Sequence, residues 1–433
     1  MARIQDNNKF YSLLRYYVDA TFFMAYRRFE YTELDKIPRD GAVIFAPNHT
    51  NALQDALAVL VADHKPTVFV ARADIFKKPV IAKILTFLKI MPILRIRDGF
   101  SNLSKNDEIM ERAVDVLCDK VPFCIMPEGT HRAKHSLLPL VKGIFRIALL
   151  TNERTAGRMP VYIVPMGVEY GNYFRYRSSL LFTVGNPINV TRYVAEHPDD
   201  DMPQLMNGLR HELTEELKKV ILWIPDDETY DAILELCYLF TAKRMKEQGV
   251  KPSLKNRLQM NQTVVADAQK LAQEQPQKAV HVFAKAAQVA EARKKIGISV
   301  DSLHVKHLVG SLLLKACVLL VTLPYFLVAA VVTLPIWATA EGITSRMEDK
   351  AFRNSFRYVL TLLLLPIIML VCALILFLNF SWPVALVLWL AVVPSHIVLN
   401  EYMRLLRLTV SDWRLFRNPT LRALIAEVRT LFY

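Results

Sequence analysis

Residues Val43–Leu60 read VIFAPNHTNALQDALAVL, and this stretch decides the fold and holds the first candidate site. Its first four residues form an apolar run typical of a buried strand, and a proline-asparagine pair then interrupts the run. From Ala52 onward the pattern becomes helical, and Asn51 followed by Gln54 resembles a capping box. The stretch therefore predicts a strand, a turn and a helix in direct succession.

The predicted turn contains a histidine, and the predicted helix contains a carboxylate. His49 and Asp55 are six residues apart, so on one continuous helix they would be about 600° apart and point in different directions. With His49 in the turn, Asp55 can reach back to one ring nitrogen and leave the other free as a general base. The helix N-terminus beside them favours developing negative charge. The alternative is a histidine and an aspartate that only cap and solvate a turn.

The composition is unlike that of one soluble domain. A chain of 433 residues exceeds one ordinary core, and 53% of the residues are hydrophobic, so we expect several regions, one of them in lipid. A net charge of +13 is compatible with nucleic acid, but the apolar content indicates an anionic membrane and phosphate-bearing substrates instead. The five cysteines show neither metal-binding nor paired spacing, which favours a reducing cytosolic setting.

Residues 1–40 are expected to contain an amphipathic helix. Residues 9–31 mix aromatic side chains with arginines and lack the roughly 20 uninterrupted apolar positions of a membrane span. We therefore expect a helix on the membrane surface. A helix packed on the neighbouring domain is the alternative.

Residues 41–225 are expected to form an α/β domain. Short apolar runs alternate there with helical stretches; the runs read VIFA, TVFVA, PILRI, PFCIMP, VYIVPMGVEY and LLFTVG. This alternation predicts helices that cover a mixed, largely parallel sheet. Residues 226–306 are helical and polar in pattern, and we expect a helical linker or accessory region there.

Residues 307–433 are expected to lie largely in the membrane. Two prolines break the apolar residues 308–340, and residues 379–383 break the apolar residues 358–400. Because one crossing takes about 20 residues, this predicts a shallow or re-entrant hairpin, a spanning hairpin and a basic tail. Basic residues precede, separate and follow the two stretches, so the positive-inside rule places all three basic segments and the catalytic domain on the cytoplasmic face.

Two arginines follow a further predicted strand. In the segment Ile90–Gly99, IMPILRIRDG, the period of two puts Arg95 and Arg97 on the same side. Two guanidinium groups at that spacing can clamp a phosphate. The alternative is a solvated strand end.

A third block, PFCIMPEGTHRAKHSLLPLVKG, begins at Pro122. Its strand is predicted to end at Met126, and a turn follows. Glu128 can accept a hydrogen bond from a ligand hydroxyl, and Gly129 allows a ligand to approach the backbone closely. Basic side chains come directly after the turn.

In order, these blocks resemble the phospholipid/glycerol acyltransferase family. The resemblance rests on Asn48-His49 with a downstream aspartate, an arginine after a strand, Pro-Glu-Gly-Thr and a final Val-Pro strand, all between residues 40 and 190. Four ordered blocks are far more specific than one. The resemblance implies a glycerol-phosphate acyltransferase-like fold, with His49 as the catalytic base and Asp55 as its orienting partner. The implied substrate-binding residues are Arg95, Arg97, Glu128, Gly129, Thr130 and Arg132.

The chain departs from the family pattern in two places. Five residues rather than four separate His49 from Asp55, which is more similar to the fungal glycerol-3-phosphate/dihydroxyacetone-phosphate acyltransferases and their bacterial relatives. The segment Ser345–Arg357 before a membrane hairpin favours the same subgroup. His131 stands where the family usually has arginine, and Arg132 comes one place later, so either side chain can be the phosphate ligand there.

The resemblance implies transfer of an acyl group from acyl-CoA or acyl-carrier protein to a hydroxyl of glycerol 3-phosphate or 1-acylglycerol 3-phosphate in phospholipid biosynthesis. The expected partners are these substrates and the bilayer, with no nucleic acid. No metal or other cofactor is expected, because the histidines form no HExxH-like ligand set and chance explains the spacing of His131 and His135.

Two functions of other classes remain open. A non-catalytic lipid-binding or transport protein should carry charges along an intramembrane path. Only Lys315 and His396 lie within the apolar runs, near their ends, where snorkelling accounts for them. A lipid hydrolase with the same base would usually contain G-x-S-x-G, which does not occur in the sequence.

Overall fold

In the computed structural model, eight strands among the described residues, 3–6, 8–93 and 103–432, form one mixed sheet. The strands are β1 (Tyr26–Thr32), β2 (Ala42–Pro47), β3 (Val68–Arg72), β4 (Ile90–Ile93), β5 (Phe123–Cys124), β6 (Val161–Tyr170), β7 (Ser178–Val184) and β8 (Ile188–Asn189). Their order across the sheet is β1-β7-β6-β2-β5-β3-β4, and β8 pairs with β6. The pairs of β6 with β7 and with β8 are antiparallel, and the remaining pairs are parallel. The sheet is thus mixed and largely parallel, which confirms the predicted fold class.

The helices of this α/β region follow the predicted alternation with strands. They are α1 (Lys9–Ala25), α2 (Leu53–Ala62), α3 (Pro79–Phe87), α4 (Leu103–Cys118), α5 (Gly143–Arg154), α6 (Val190–Glu196) and α7 (Met202–Val220). The core lies where α4, α5 and α7 cover strands β2, β5 and β6, and it includes fully buried Ile44, Phe145 and Leu213. Each side of β2 is paired with a parallel neighbour, so all six of its residues are buried. This is the environment of a central parallel strand.

The N-terminal helix is shorter than the predicted pattern of residues 9–31. It ends at Ala25, and the following residues form β1, which pairs in parallel with β7. Aromatic contacts support this strand: the Phe22 ring lies 5.0 Å from Tyr26 and 5.9 Å from Phe29. The backbone partners offered by β7 outweigh the helical pattern, since strand formation depends mainly on its neighbours.

The chain divides into two compact units. The first comprises Met1–Ile221 and Asp349–Ser355, and the second comprises Leu222–Glu348 and Phe356–Tyr433. The sequence placed the end of the α/β domain at residue 225. The seven residues Asp349–Ser355 belong to the first unit although they are far in sequence from its other residues.

The second unit is helical throughout its regular structure in the described residues. Its helices are α8 (Tyr230–Glu247), α9 (Leu254–Glu274), α10 (Pro276–Ile296), α11 (Leu308–Thr344), α12 (Lys350–Asn379, of which residues from Phe356 belong here), α13 (Trp382–Val392), α14 (Ser395–Phe416) and α15 (Pro419–Leu431). A buried ion pair joins two of them: Arg293 donates to both carboxylate oxygens of Glu235, at 2.8 and 2.7 Å.

Three stretches are long and apolar enough to cross a membrane: Leu308–Thr344, Lys350–Asn379 and Trp382–Phe416. The second and third are separated near residue 380, where the sequence predicted the tip of a spanning hairpin. The Trp389 indole donates to the Met369 carbonyl at 3.1 Å, so α12 and α13 pack side by side. The chain is accordingly a membrane protein.

The first apolar stretch corrects the sequence interpretation. We expected a hairpin broken at its prolines, but α11 is one continuous helix of 37 residues that contains Pro324 and Pro335. Membrane helices tolerate proline because neighbouring groups satisfy the freed carbonyls. The predicted hairpin is therefore absent from residues 308–340, and the placement of all three basic segments on one face stays a prediction.

Lys315 also differs from its predicted role. It forms an ion pair with Asp412 of α14, whose carboxylate is fully buried, rather than snorkelling to the interface. Ser302 and Ser311 donate to the same carboxylate at 2.7 and 2.9 Å. A buried charge therefore has the partners that such a site requires.

Candidate active site

The turn after β2 brings the predicted histidine and carboxylate together. Nδ1 of His49 lies 2.9 Å from Oδ2 of Asp55, on the first turn of α2. The chain reverses sharply at Ala52, a non-glycine residue with a positive φ of 48°. This reversal, before a helix that begins at Leu53, lets a side chain six residues later turn back toward the imidazole.

The carboxylate of Asp55 is fully buried and accepts four hydrogen bonds. Oδ2 accepts from the backbone N–H of Thr50 at 2.8 Å and of Asn51 at 2.7 Å, as well as from His49. Oδ1 accepts from the hydroxyl of Tyr170, at the end of β6, at 2.7 Å. Donors on all sides stabilise the anion. An anionic Asp55 accepts the proton on Nδ1, which leaves Nε2 of His49 as the basic nitrogen.

Burial raises the pKa of the Tyr170 hydroxyl well above its ordinary value, and the charge of Asp55 raises it further. The phenol is therefore a permanent donor to Asp55. Sequence reasoning missed this residue, which lies 115 positions away from its partner. The only signal was its place at the end of a predicted buried strand that runs parallel to the strand before His49.

The predicted capping box at the start of α2 is absent, because Ala52 is the N-cap and provides no side-chain acceptor. The Asn51 side chain donates instead to the carbonyl of Tyr173, and the Gln54 side chain accepts from Tyr26 at 3.1 Å. The two amides that donate to Asp55, those of Thr50 and Asn51, belong to the turn before α2. Stabilisation of a developing negative charge by the N-terminus of α2 stays a prediction.

Glu128 connects the third block to the turn that contains His49. One carboxylate oxygen accepts from the backbone N–H of His49 at 2.7 Å, and the other accepts from that of Leu138 at 2.8 Å. The side chain is only 5% exposed, and burial raises its pKa, opposed by these two hydrogen bonds. Glu128 therefore positions the backbone of the base. Its predicted contact with a substrate hydroxyl stays a prediction.

The turn after Glu128 contains a glycine with a positive φ, and close approach of a ligand to its backbone stays a prediction. Gly129 has a φ of 64°, and a Cβ there would lie 3.2 Å from a methyl group of Val141. Thr130 next to it is exposed. The backbone N–H of Arg132 donates to the carbonyl of His49 at 3.1 Å, so the turn of the third block lies beside the turn that contains His49. Arg95 and Arg97 lie outside the described residues, and their phosphate clamp stays a prediction.

Two more histidines of the third block are paired with carboxylates. Nε2 of His131 lies 2.8 Å from Oδ2 of Asp349, and Nδ1 of His135 lies 3.2 Å from Oε2 of Glu169. The rings of His131 and His49 meet edge to face, with centroids 5.3 Å apart. Sequence reasoning treated the spacing of His131 and His135 as chance and did not find either acidic partner.

The sequence analysis also did not predict a contact in which the Asn48 side chain pairs with a strand. Its side-chain amide donates to the carbonyl of Val168 at 3.2 Å and accepts from the N–H of the same residue at 2.7 Å. Asn48 thereby continues the pairing of β2 with β6 beyond the last strand residue. This contact fixes the backbone immediately before the candidate base.

Comparisons with known proteins bear on this geometry. A family model described as Acyltransferase matches residues 28–169, which include every site residue of the first three blocks. The glycerol-3-phosphate O-acyltransferase 2 of Saccharomyces cerevisiae is 29% identical over 145 residues. That match covers 33% of this chain and only 19% of the yeast protein, about a fifth of its length.

One solved structure resembles the chain weakly. The crystal structure of the 1-acyl-sn-glycerophosphate (LPA) acyltransferase PlsC from Thermotoga maritima aligns with 48% of this chain and 78% of that chain. The sequence identity is 16% and the TM-score is 0.35, a likeness too weak to support any conclusion about function.

Proposed function

We propose that the protein transfers an acyl group from a thioester to a hydroxyl of a glycerol phosphate, because a family model described as Acyltransferase matches residues 28–169. One observation carries the proposal. Nδ1 of His49 is hydrogen-bonded to the carboxylate of Asp55, which is fully buried and accepts four hydrogen bonds. The name of the yeast relative is the reason to take glycerol 3-phosphate as the first acceptor to test. Its 1-acyl derivative carries the same phosphate and is the second.

In the proposed reaction, Nε2 of His49 takes the proton of the acceptor hydroxyl while the oxygen attacks the thioester carbonyl. A C–O bond forms and a tetrahedral oxyanion results. When this intermediate collapses, the C–S bond breaks and the thiolate leaves, taking up the proton from the His49 imidazolium. Asp55 stays anionic throughout and stabilises the transient imidazolium. The step needs no covalent acyl-enzyme and no cofactor, since acyl-CoA or acyl-carrier protein is the co-substrate.

The acceptor phosphate needs cationic ligands near the base. The third block supplies Arg132, whose backbone hydrogen-bonds to His49, and the sequence adds Arg95 and Arg97. Arginine is well suited to such a site, because its planar fork binds two phosphate oxygens at once. We propose these three guanidinium groups, with the open turn at Gly129 and Thr130, as the acceptor-binding region.

We propose that the catalytic domain faces the cytoplasm. Lys294, Lys295 and Lys306 precede the first apolar helix, and the positive-inside rule assigns basic residues close to a span to that face. Acyl-CoA and acyl-carrier protein are soluble donors, so an accessible domain beside the membrane suits both substrates.

The proposal is tested by removing the base. Purified protein in lipid vesicles is incubated with radiolabelled acyl-CoA and glycerol 3-phosphate, and the products are separated. We expect acylated glycerol phosphate from the unmodified protein and a loss of about 10²–10⁴-fold for His49→Ala, the typical contribution of a general base. His281→Ala is the matched control, since His281 is exposed on α10 and should leave turnover unchanged.

The products also separate the alternatives. Labelled fatty acid formed without an ester would indicate hydrolysis by the same base on water. Bound acyl-CoA or lipid without any product would indicate a non-catalytic binding or transport protein. Full turnover by the His49→Ala variant would overturn the assignment of the base.

A further inference from the structure

The seven residues Asp349–Ser355, which we call the returning segment, belong to the first unit although they lie about 300 positions beyond His49. They include the start of α12, a helix long and apolar enough to span a membrane. Two contacts join the segment to α2 and its turn. The hydroxyl of Ser355 accepts from the backbone N–H of Leu53 at 3.3 Å, and Asn354 donates to Asn51 at 3.5 Å.

Asp349 divides its carboxylate between two tasks. Oδ1 accepts from the backbone N–H groups of Ala351 and Phe352, at 2.9 and 3.1 Å, and so caps the first turn of α12. Oδ2 lies 2.8 Å from Nε2 of His131. Partial burial raises the pKa of Asp349, but the hydrogen bonds from Phe352, His131 and Ala351 lower it by more, so the pKa lies below its ordinary value.

His131 is well placed to act on the same substrate as His49. Their rings are in contact, with centroids 5.3 Å apart and an interplanar angle of 75°. The carboxylate of Asp349, at hydrogen-bond distance, fixes the orientation of the His131 ring. With Nε2 bound to Asp349, Nδ1 is the nitrogen that remains to bind an anionic group. The phosphate of a glycerol phosphate lies only a few bonds from the hydroxyl that His49 would deprotonate.

We propose that Asp349 is a positioning residue that orients His131 as a ligand for the acceptor phosphate. This inference rests on the proposed acyl transfer. The returning segment would thereby make the site depend on a residue at the entrance of a membrane helix. A cap alone would need only Oδ1, so the contact with His131 is the observation that a purely structural role leaves unexplained.

Asp349→Asn separates the two tasks. Asparagine is as good a helix cap as aspartate, and its Oδ1 can still accept from Ala351 and Phe352. Its amide group replaces Oδ2 and cannot accept a proton from Nε2 of His131. We therefore expect an unchanged thermal midpoint, a KM for glycerol 3-phosphate raised about tenfold, and an unchanged KM for acyl-CoA. A tenfold change corresponds to about 1.4 kcal/mol.

The matched control is Asp231→Asn. Asp231 forms an ion pair of the same length with Lys294, 2.8 Å, and its side chain is 60% exposed against 51% for Asp349. It belongs to the second unit, and its substitution should change neither KM. His131→Gln probes the pair from the other side and should raise the KM for glycerol 3-phosphate by a similar factor. The double variant with Asp349→Asn should then be no worse than either single one.

The outcomes are distinct. If the unmodified protein makes no acylated glycerol phosphate, the proposed function fails and this inference fails with it. If the unmodified protein is active and Asp349→Asn keeps its KM for glycerol 3-phosphate, only the inference is overturned. Multiplicative effects of the two substitutions, or an equal rise in the KM for acyl-CoA, would also overturn it.

Discussion

At the scale of single residues, the site is a set of imidazoles each held by one carboxylate. Asp55, fully buried, fixes the proposed base His49 from one side. Glu128 fixes the backbone of the same residue from the other side, through its N–H group. A base held in this way loses little freedom on binding substrate, and precise placement of the reacting groups is a large part of catalysis. Rigid positioning is therefore the main contribution of these acidic residues.

The hydroxyl of Tyr170 should matter for both stability and rate. Tyr170→Phe removes one donor to the buried Asp55 anion, and hydrogen bonds to charged groups contribute about 1.5–3 kcal/mol each. We expect the free energy of unfolding to fall by about that amount and kcat to fall roughly tenfold, because Asp55 then orients His49 less firmly. Denaturant unfolding in detergent and steady-state kinetics measure the two effects.

Tyr162→Phe is the control for that substitution. The Tyr162 hydroxyl also donates to a carboxylate, that of Asp40 at 3.2 Å, but at an exposed position. Water can replace this bond, so we expect a change in unfolding free energy of less than about 0.5 kcal/mol and unchanged kcat. Equal losses in the two variants would contradict the special role of Tyr170.

The sequence predicted the part of the site that lies within one short stretch. His49 and Asp55 are close in the chain, and the turn between them could be read from the spacing. Tyr170 and Asp349 are 115 and 218 positions away from the residues they contact, and they reach the site through sheet pairing and through the returning segment. No local pattern encodes such contacts. The capping box at Asn51 was wrong because tertiary partners bind the side chains it needed.

At the scale of elements, the pairing of β2 with β6 positions the site, and buried polar clusters join the membrane helices. Helices α11 and α14 are tied at one end by Asp412, which binds Lys315, Ser302 and Ser311. Apolar packing alone does not fix one orientation between two lipid-facing helices. Polar contacts between membrane helices fix their register more strongly.

Asp412→Ala should destabilise the second unit markedly. The substitution leaves the Lys315 ammonium without its carboxylate, and breaking a buried ion pair typically costs about 3–5 kcal/mol. Unfolding in mixed micelles measures the loss. Glu401→Ala is the control on the same helix: Glu401 pairs with Arg404 three residues later, both partly exposed, and such pairs contribute about 0–1 kcal/mol. Similar losses in both variants would contradict a buried, specific pair.

At the scale of the whole molecule, the first unit carries its own apolar surface in addition to the membrane helices. Helices α1 and α3 meet where the Phe10 ring lies 5.8 Å from Phe87. The same two helices expose further apolar side chains, and exposed lysines lie in α3 or directly before it: the apolar ones include Leu13, Tyr16, Val80, Ile81 and Ile84, and the lysines are Lys77, Lys78 and Lys83. Apolar residues bordered by lysines are typical of a surface that binds anionic lipid.

Position 80 should therefore be in contact with lipid. In a background without the native cysteines, a fluorophore attached at Val80→Cys should be quenched by nitroxide-labelled lipid in vesicles that contain anionic phospholipid. Val280→Cys is the matched control, because Val280 is 70% exposed and Val80 is 69% exposed. We expect several-fold stronger quenching at position 80. Equal quenching at both positions would contradict a membrane-binding face on the first unit.

The order of the regions along the chain could be predicted from composition and periodicity. The course of the first apolar segment could not. The alternation of short apolar runs predicted the sheet, and polar helices followed by apolar ones were recognised. The two prolines predict a break in residues 308–340, but a continuous helix contains both. Proline breaks a helix in water, where the freed carbonyl is solvated, but a lipid environment favours any arrangement that keeps the remaining backbone bonds.

The length of α11 has a consequence for the bilayers that the protein can occupy. At about 1.5 Å per residue its 37 residues extend for about 55 Å, and even a 40° tilt leaves roughly 42 Å along the membrane normal. The hydrocarbon layer is only about 30 Å thick. A helix with that much surplus length must kink, extend beyond the hydrocarbon or thicken the lipid around it, so we expect a thick bilayer to accommodate it at a lower cost than a thin one.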